Sequence, residues 1–251
     1  MNGYARTWMS VVFCFLWLAA PRPAGAVPER AVVPVVLKTR DGLTVRGDWR
    51  PPPPASQAHA RQAAVLLLHQ GGSNRHEWDG FIARQLGRYG VLSIDLRGHG
   101  ESDKTKGPLS ALFNDPQQAP EDLRAALEFL RAQPTVDPAR IAVIGASIGA
   151  NLAVVAADGF NIKTAVFLSG KTSAAQNLAD KKELRPRSVF YIAGEGDEDG
   201  MRARWARELH DLTHEPRRLE ILKGKKGHGV TLFKEDLGLE ERVRAWLEST
   251  L

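Results

Sequence analysis

Cysteine is almost missing from this chain: among its 251 residues only Cys14 carries a thiol. With no second cysteine there is no intrachain disulfide, so a packed core must supply the stability. Basic charge is also thin. The formal net charge is +5, and the densest cluster, Lys223-Gly224-Lys225-Lys226, has the composition of a solvated loop. No Lys/Arg block is interleaved with aromatics, which argues against nucleic-acid binding. Long apolar runs are absent as well. The one sustained stretch, residues 8–20, falls short of the about 20 residues that a membrane span needs. No internal repeat and no second domain are visible.

The apolar stretch instead has the layout of an export signal. Arg6 supplies the positive end, and Ala24-Gly25-Ala26 supplies a small-residue cleavage site. Cys14 follows Val11-Val12-Phe13, without the small residues of a lipoprotein site, and belongs to the discarded peptide. The expectation is a signal peptide over residues 1–26, one domain over residues 27–251, and export to the periplasm or the medium, with no stable membrane insertion after cleavage.

Past the leader the pattern alternates. Residues 32–38 and 43–49 form two strands joined at Asp41-Gly42, a hairpin turn signal. A proline-rich loop covers 51–60. Residues 63–68 form a continuous apolar run suited to a strand buried on both faces. Helix 78–88, strand 91–94 and helix 121–132 follow, and Asp137-Pro138 turns the chain into a strand from Ile141. Strands at 163–168, 188–193 and 218–222 then alternate with helices at 173–182, near Met201 to Leu212, and 231–247. The β-α alternation implies a mostly parallel sheet with helices on both faces.

The most informative segment is Gly145-Ala146-Ser147-Ile148-Gly149, set between an apolar strand and a helix. Gly-x-Ser-x-Gly in that context is a nucleophile elbow. The serine sits on a sharp turn, and the glycines leave room where strand and helix crowd. A serine hydroxyl needs a base, and the base needs an orienting carboxylate. His228 lies between glycines in the loop after the last strand and is the candidate base. Asp197, in Gly194-Glu195-Gly196-Asp197, is the chosen acid, with Glu195, Glu198 and Asp199 also within reach. The backbone N–H of Ile148 and one from His69-Gln70-Gly71-Gly72 are the oxyanion donors, Gly71 being preferred and Gln70 the alternative. His69 and the turn Asp95 to Ser102 are assigned structural roles. His210 and His214, four apart on a helix ending near Pro216, form a solvated face; no third ligand accompanies them, so no metal is expected.

These residues together resemble the α/β-hydrolase superfamily over nearly all of residues 27–251. The resemblance is greatest to compact, lidless serine hydrolases of the dienelactone-hydrolase-like branch. It implies an eight-stranded, mostly parallel sheet with no large cap. Two departures stand out. Dienelactone hydrolases proper have cysteine where this chain has Ser147, so their substrate is not carried over. Gln70 replaces the glycine that commonly follows the loop histidine. A serine elbow also argues against dehalogenase and epoxide-hydrolase chemistry, where the resemblance would imply an aspartate.

The expected activity is hydrolysis of small acyl esters through a Ser147–His228–Asp197 triad, with no metal or organic cofactor. Thioesterase, amidase and peptidase are variants within the class, and a non-catalytic binding protein on the same fold is the alternative. The interval between residues 168 and 188 leaves no room for a large lid. Loops must therefore shape the pocket, with Phe113 in the 107–119 loop as one wall and His76 and Trp78 as another. Short acyl chains are expected to be preferred.

Overall fold

The computed structural model describes residues 31–54 and 60–251. The export signal, Cys14 and part of the proline-rich loop lie outside the described residues. Eight strands form one sheet: β1 (Val33–Lys38), β2 (Thr44–Arg50), β3 (Gln62–Leu68), β4 (Gly90–Ile94), β5 (Val136–Ala146), β6 (Thr164–Leu168), β7 (Arg187–Gly194) and β8 (His214–Leu222). Their spatial order is β1-β2-β4-β3-β5-β6-β7-β8. β2 runs antiparallel to both its neighbours, and every pairing from β4 to β8 is parallel. The Asp41-Gly42 turn joins β1 to β2, with Gly42 at φ 89° in the left-handed region.

The sheet is buried on both faces, and β3 shows why. Ala64, Leu66 and Leu68 join one apolar cluster, while Ala63, Val65 and Leu67 join the other. Successive strand side chains point to opposite faces, so an unbroken apolar run needs cover on both. One cover comprises α2 (Ala119–Ala132), α3 (Ile148–Gly159), α4 (Thr172–Ala179) and α5 (Met201–Leu212). The other comprises α1 (Asp79–Gln85), α6 (Leu232–Glu235) and α7 (Leu239–Thr250). Between β6 and β7 the chain forms only α4, so there is no large cap.

Several boundaries differ from the sequence expectations. β5 begins at Val136, so Asp137-Pro138 lies inside the strand and not before it. Val136 pairs with Gln62, the register then shifts, and regular pairing resumes at Ile141 opposite Ala64. A proline is tolerated where the ladder is already broken. Helix α5 stops at Leu212 because Thr213 is extended, its hydroxyl bonded to Leu209 O (2.7 Å) and close to the Tyr191 hydroxyl (2.6 Å). His214 therefore opens β8 and does not share a helix face with His210. The expected final helix is two, α6 and α7, separated at Asp236-Leu237-Gly238. There the Asp236 carboxylate accepts the Gly238 N–H (3.1 Å) and pairs with Arg242 (2.7 Å).

Candidate active site

The turn between β5 and α3 carries Ser147 at φ 51°, ψ −108°. A non-glycine residue there stores strain of about 1–3 kcal/mol and is held only by its surroundings. Those surroundings are explicit. The Ser147 N–H donates to Leu168 O of β6 (2.8 Å), and its carbonyl accepts the Asn151 N–H (3.2 Å). A Cβ on Gly145 would lie 2.0 Å from Gly149 O, and one on Gly149 would lie 2.2 Å from Leu68 O. Both glycines are therefore steric requirements of the turn. Ile148 opens α3, so its N–H has no partner within the helix.

The loops after β7 and β8 are laced together beside this turn. Asp197 is 3% exposed, and both its oxygens lie 3.0 Å from His228 Nδ1. A proton on Nδ1 shared with that carboxylate leaves Nε2 unprotonated and without a partner among the described residues. The His228 N–H donates to Thr231 Oγ1 (2.7 Å), which fixes the backbone under the ring. Gly229 brings the loop to the elbow: a Cβ there would lie 3.2 Å from the Cβ of Ala146, next to Ser147. Ser147 Oγ and His228 Nε2 are not hydrogen-bonded to each other. The other acids are engaged elsewhere or point outward. Glu195 accepts the Gly224 N–H (2.9 Å), Glu198 pairs with Arg202 (2.7 Å), and Asp199 is exposed.

The loop after β3 forms the opposite wall. His69 is fully buried between the Gln70 carbonyl at Nδ1 (2.7 Å) and the Leu96 N–H at Nε2 (2.9 Å). Burial holds its pKa down at about 4, so it stays neutral and pins the loop to the strand β4 exit. The two candidate donors separate here. The Gln70 N–H is taken by Glu77 Oε1 (2.9 Å), whereas the Gly71 N–H has no partner among the described residues. The Asp95 to Ser102 turn is a support. The Asp95 carboxylate accepts the Arg75 and Glu101 N–H groups (2.7 and 2.9 Å), and it also pairs with the Arg75 guanidinium.

The expected pocket walls fare differently. Phe113 lines a cavity of about 300 Å³ with Asn114, Lys171 and Arg202. Trp78 is not among the residues that line this cavity. It is fully buried in the core against Phe81 and Phe233, because the chain turns inward at Arg75–Trp78 before α1 begins. His76 is on the surface, with Nδ1 3.1 Å from Asp79. It sits on that same short turn, outside the residues that line the Phe113 cavity. Among the described residues no group of three or more His, Cys, Asp or Glu is placed to hold a metal ion, and no helix is long and apolar enough to cross a membrane.

Some residues around the turn have no sequence signature. Glu77 is one: burial raises its pKa to about 7, and its Oε2 has no partner. Ser169 Oγ and Asn151 Nδ2 are two more buried polar atoms left unpaired next to the elbow. Each lies in a segment that also reads as ordinary loop or helix, and only the three-dimensional placement distinguishes it.

The chain belongs to the alpha/beta hydrolase family, whose model matches residues 65–249. An uncharacterized Mycobacterium tuberculosis protein, Rv2307c, is 28% identical over 272 residues, covering 96% of this chain and 92% of that protein. Among solved structures, the Pyrococcus furiosus esterase Pf2001 superposes with a TM-score of 0.67 at 18% identity, covering 88% of this chain and 93% of that one. The hyperthermophilic esterase from Pyrobaculum calidifontis gives 0.68 at 18% identity, with 88% and 86% covered. An acetyl xylan esterase from Paenibacillus sp. R4 gives 0.67 at 18% identity, with 89% and 88% covered. At such identities the likeness is one of fold.

Proposed function

We propose that this hydrolase is an exported serine esterase acting on small acyl substrates through a covalent acyl-enzyme. The observation that carries the proposal is the Asp197–His228 pair. It leaves Nε2 unprotonated on a loop that Gly229 packs against the Ser147 turn. Ser147 Oγ attacks the acyl carbonyl carbon while Nε2 takes its proton. The carbonyl oxygen becomes an oxyanion facing the N–H groups of Ile148 and Gly71. His228 then gives the proton to the leaving alkoxide as its bond to the acyl carbon breaks. A water, deprotonated by the same nitrogen, releases the acid and restores Ser147. Asp197 orients the ring and stabilises its charged form.

Two further features support details of this reading. The β6–β7 connection holds only α4, so little apolar wall is available to desolvate a long acyl chain. Each methylene that is buried adds roughly 0.8 kcal/mol, and one left in water adds nothing. Short acyl esters are therefore the preferred substrates. The leader composition of residues 1–26 supports export to the periplasm or the medium.

Fluorophosphonate labelling of the purified protein tests the central step. The wild type should be labelled with loss of activity, and Ser147→Ala should not be labelled at all. A folded wild-type protein that resists the reagent would favour the binding-protein alternative. Intact mass of the exported form should place its first residue at or near Val27.

A further inference from the structure

The cavity that holds Phe113 carries a charge pattern that ester hydrolysis alone does not need. Its volume is about 300 Å³, and its polar lining is Asn114, Lys171, Ser173, Asn177 and Arg202. It adjoins the nucleophile turn through two short hydrogen-bonded links. The Lys171 N–H donates to Asn151 Oδ1 (2.7 Å), one helical turn after Ser147. Arg202 Nη1 donates to the carbonyl of Ser169 (3.1 Å), the residue after the Leu168 carbonyl that holds the Ser147 N–H.

The two cations are held differently. Arg202 is mostly buried and locked, with Nη1 on Ser169 O, Nη2 on Glu198 (2.7 Å), and Nε left buried without a partner. Lys171 makes no ion pair among the described residues. Its ammonium lies 5.2 Å from the Trp205 ring centre, and the Arg202 guanidinium lies 5.2 Å from the same ring. An aromatic face attracts cations and so keeps both charges together. The nearby acids offset only part of this. Glu198 is half exposed and serves Arg202; Glu208 is engaged by Arg204 (3.0 Å) and the Thr172 hydroxyl (3.0 Å); Asp197 faces His228. Lys171 is thus the cation of this pair with no carboxylate partner among the described residues, and a single free ammonium matches a monoanion better than a dianion.

Resting on the esterase reading above, we infer that this cavity is a specificity subsite for a carboxylate borne by the ester substrate, with Lys171 and Arg202 as the residues that recognise it. Arg202 supplies a preorganised charge, Lys171 an exposed one without an ion-pair partner among the described residues, and the Asn114 and Asn177 amides flank them as neutral polar groups. Phe113 covers the apolar link between the ester and the carboxylate.

The test uses two matched ester pairs on the full exported protein. 4-Nitrophenyl hemisuccinate is compared with 4-nitrophenyl butyrate for an acyl-side carboxylate, and 4-acetoxybenzoate with 4-methylphenyl acetate for an alcohol-side one. Lys171→Met keeps the stem over Trp205 and removes the charge. In at least one pair it should lower kcat/KM for the anionic ester about fivefold while leaving the neutral ester within twofold, and the effect should shrink as salt is raised. Anionic-to-neutral ratios that stay within twofold of wild type in both pairs would overturn the subsite. If wild type hydrolyses none of the four esters, the esterase reading is what has failed. The subsite is then judged by calorimetric binding of monomethyl succinate, which should be about fivefold weaker in Lys171→Met and would be unchanged if the cavity takes no carboxylate.

Discussion

The loops on either side of Ser147 are finished to different degrees. On the β7–β8 side nearly every polar group is spoken for within the protein. Asp197 holds His228, Glu195 holds the Gly224 N–H, Gly196 donates to Lys225 O (2.9 Å), and Thr231 holds His228 from below. On the β3 side polar groups are left over. The Gly71 N–H is open, and Gln70 Oε1 and Glu77 Oε2 are buried without partners. Buried polar atoms are normally paired, and an unpaired one costs about 1–3 kcal/mol. In the proposed mechanism the proton-handling half is thus preorganised by its own contacts, whereas the charge-stabilising half keeps a donor open for a group that arrives with the substrate. That contrast predicts where substitutions will be absolute and where they will be graded.

The largest effects belong to the finished half. His228→Ala and Asp197→Asn should each lower kcat by about 10⁴-fold or more, with the fold intact by circular dichroism. Glu195→Gln and Asp199→Asn should cost far less, since neither faces the imidazole. A greater loss at Asp199 than at Asp197 would transfer the acid role and undo the contrast.

The open half should respond in steps. A Cβ on Gly71 would meet nothing within 4 Å, and its φ is not positive. Gly71→Ala should therefore stay within severalfold of wild type, because the N–H survives. Gly71→Pro deletes that N–H and should lower kcat by about 10²–10³-fold, the usual cost of one oxyanion donor. Equal activity of the two variants in a steady-state assay would show that Gly71 is not a donor.

How far the sequence reached follows the same division. The sheet, the elbow and the two-sided core were legible because they rest on local signals: apolar runs, Gly145 and Gly149, and the Asp41-Gly42 turn. Asp197 was chosen from a short segment in which four carboxylates lie within reach, and its contact with His228 is made only by the return of the Lys225–His228 loop in three dimensions. Trp78 was misplaced because an aromatic next to a glycine-rich loop has the same pattern whether it faces a pocket or the core. The split between α6 and α7 was missed because Asp236 breaks the helix through its own side-chain contacts, while the apolar spacing continues across it. Glu77, Ser169 and the Lys171–Arg202 pair acquire meaning only from partners far away in sequence.

The smallest effect is also the sharpest test of the unfinished half, and it is read in stability. Burial raises the Glu77 pKa from its ordinary 4.5 to about 7, and lowers that of His69 from 6.5 to about 4. The signs oppose. Between pH 4.5 and 7 folded Glu77 keeps a proton that the unfolded chain has released, so stability falls as pH rises. Between pH 6.5 and 4 the unfolded chain binds a proton at His69 that the folded state refuses, so stability falls as pH drops. Over the shared interval from 4.5 to 6.5 the two slopes work against each other, each worth on the order of 2 kcal/mol in total. Glu77→Gln keeps a carbonyl acceptor for the Gln70 N–H and removes only the titration. Its urea midpoint should rise with pH across that interval more steeply than that of the wild type, and it should no longer decline toward pH 7. An unaltered pH profile would mean that Glu77 is ionised throughout, and that the β3 loop is as fully satisfied as the loops opposite.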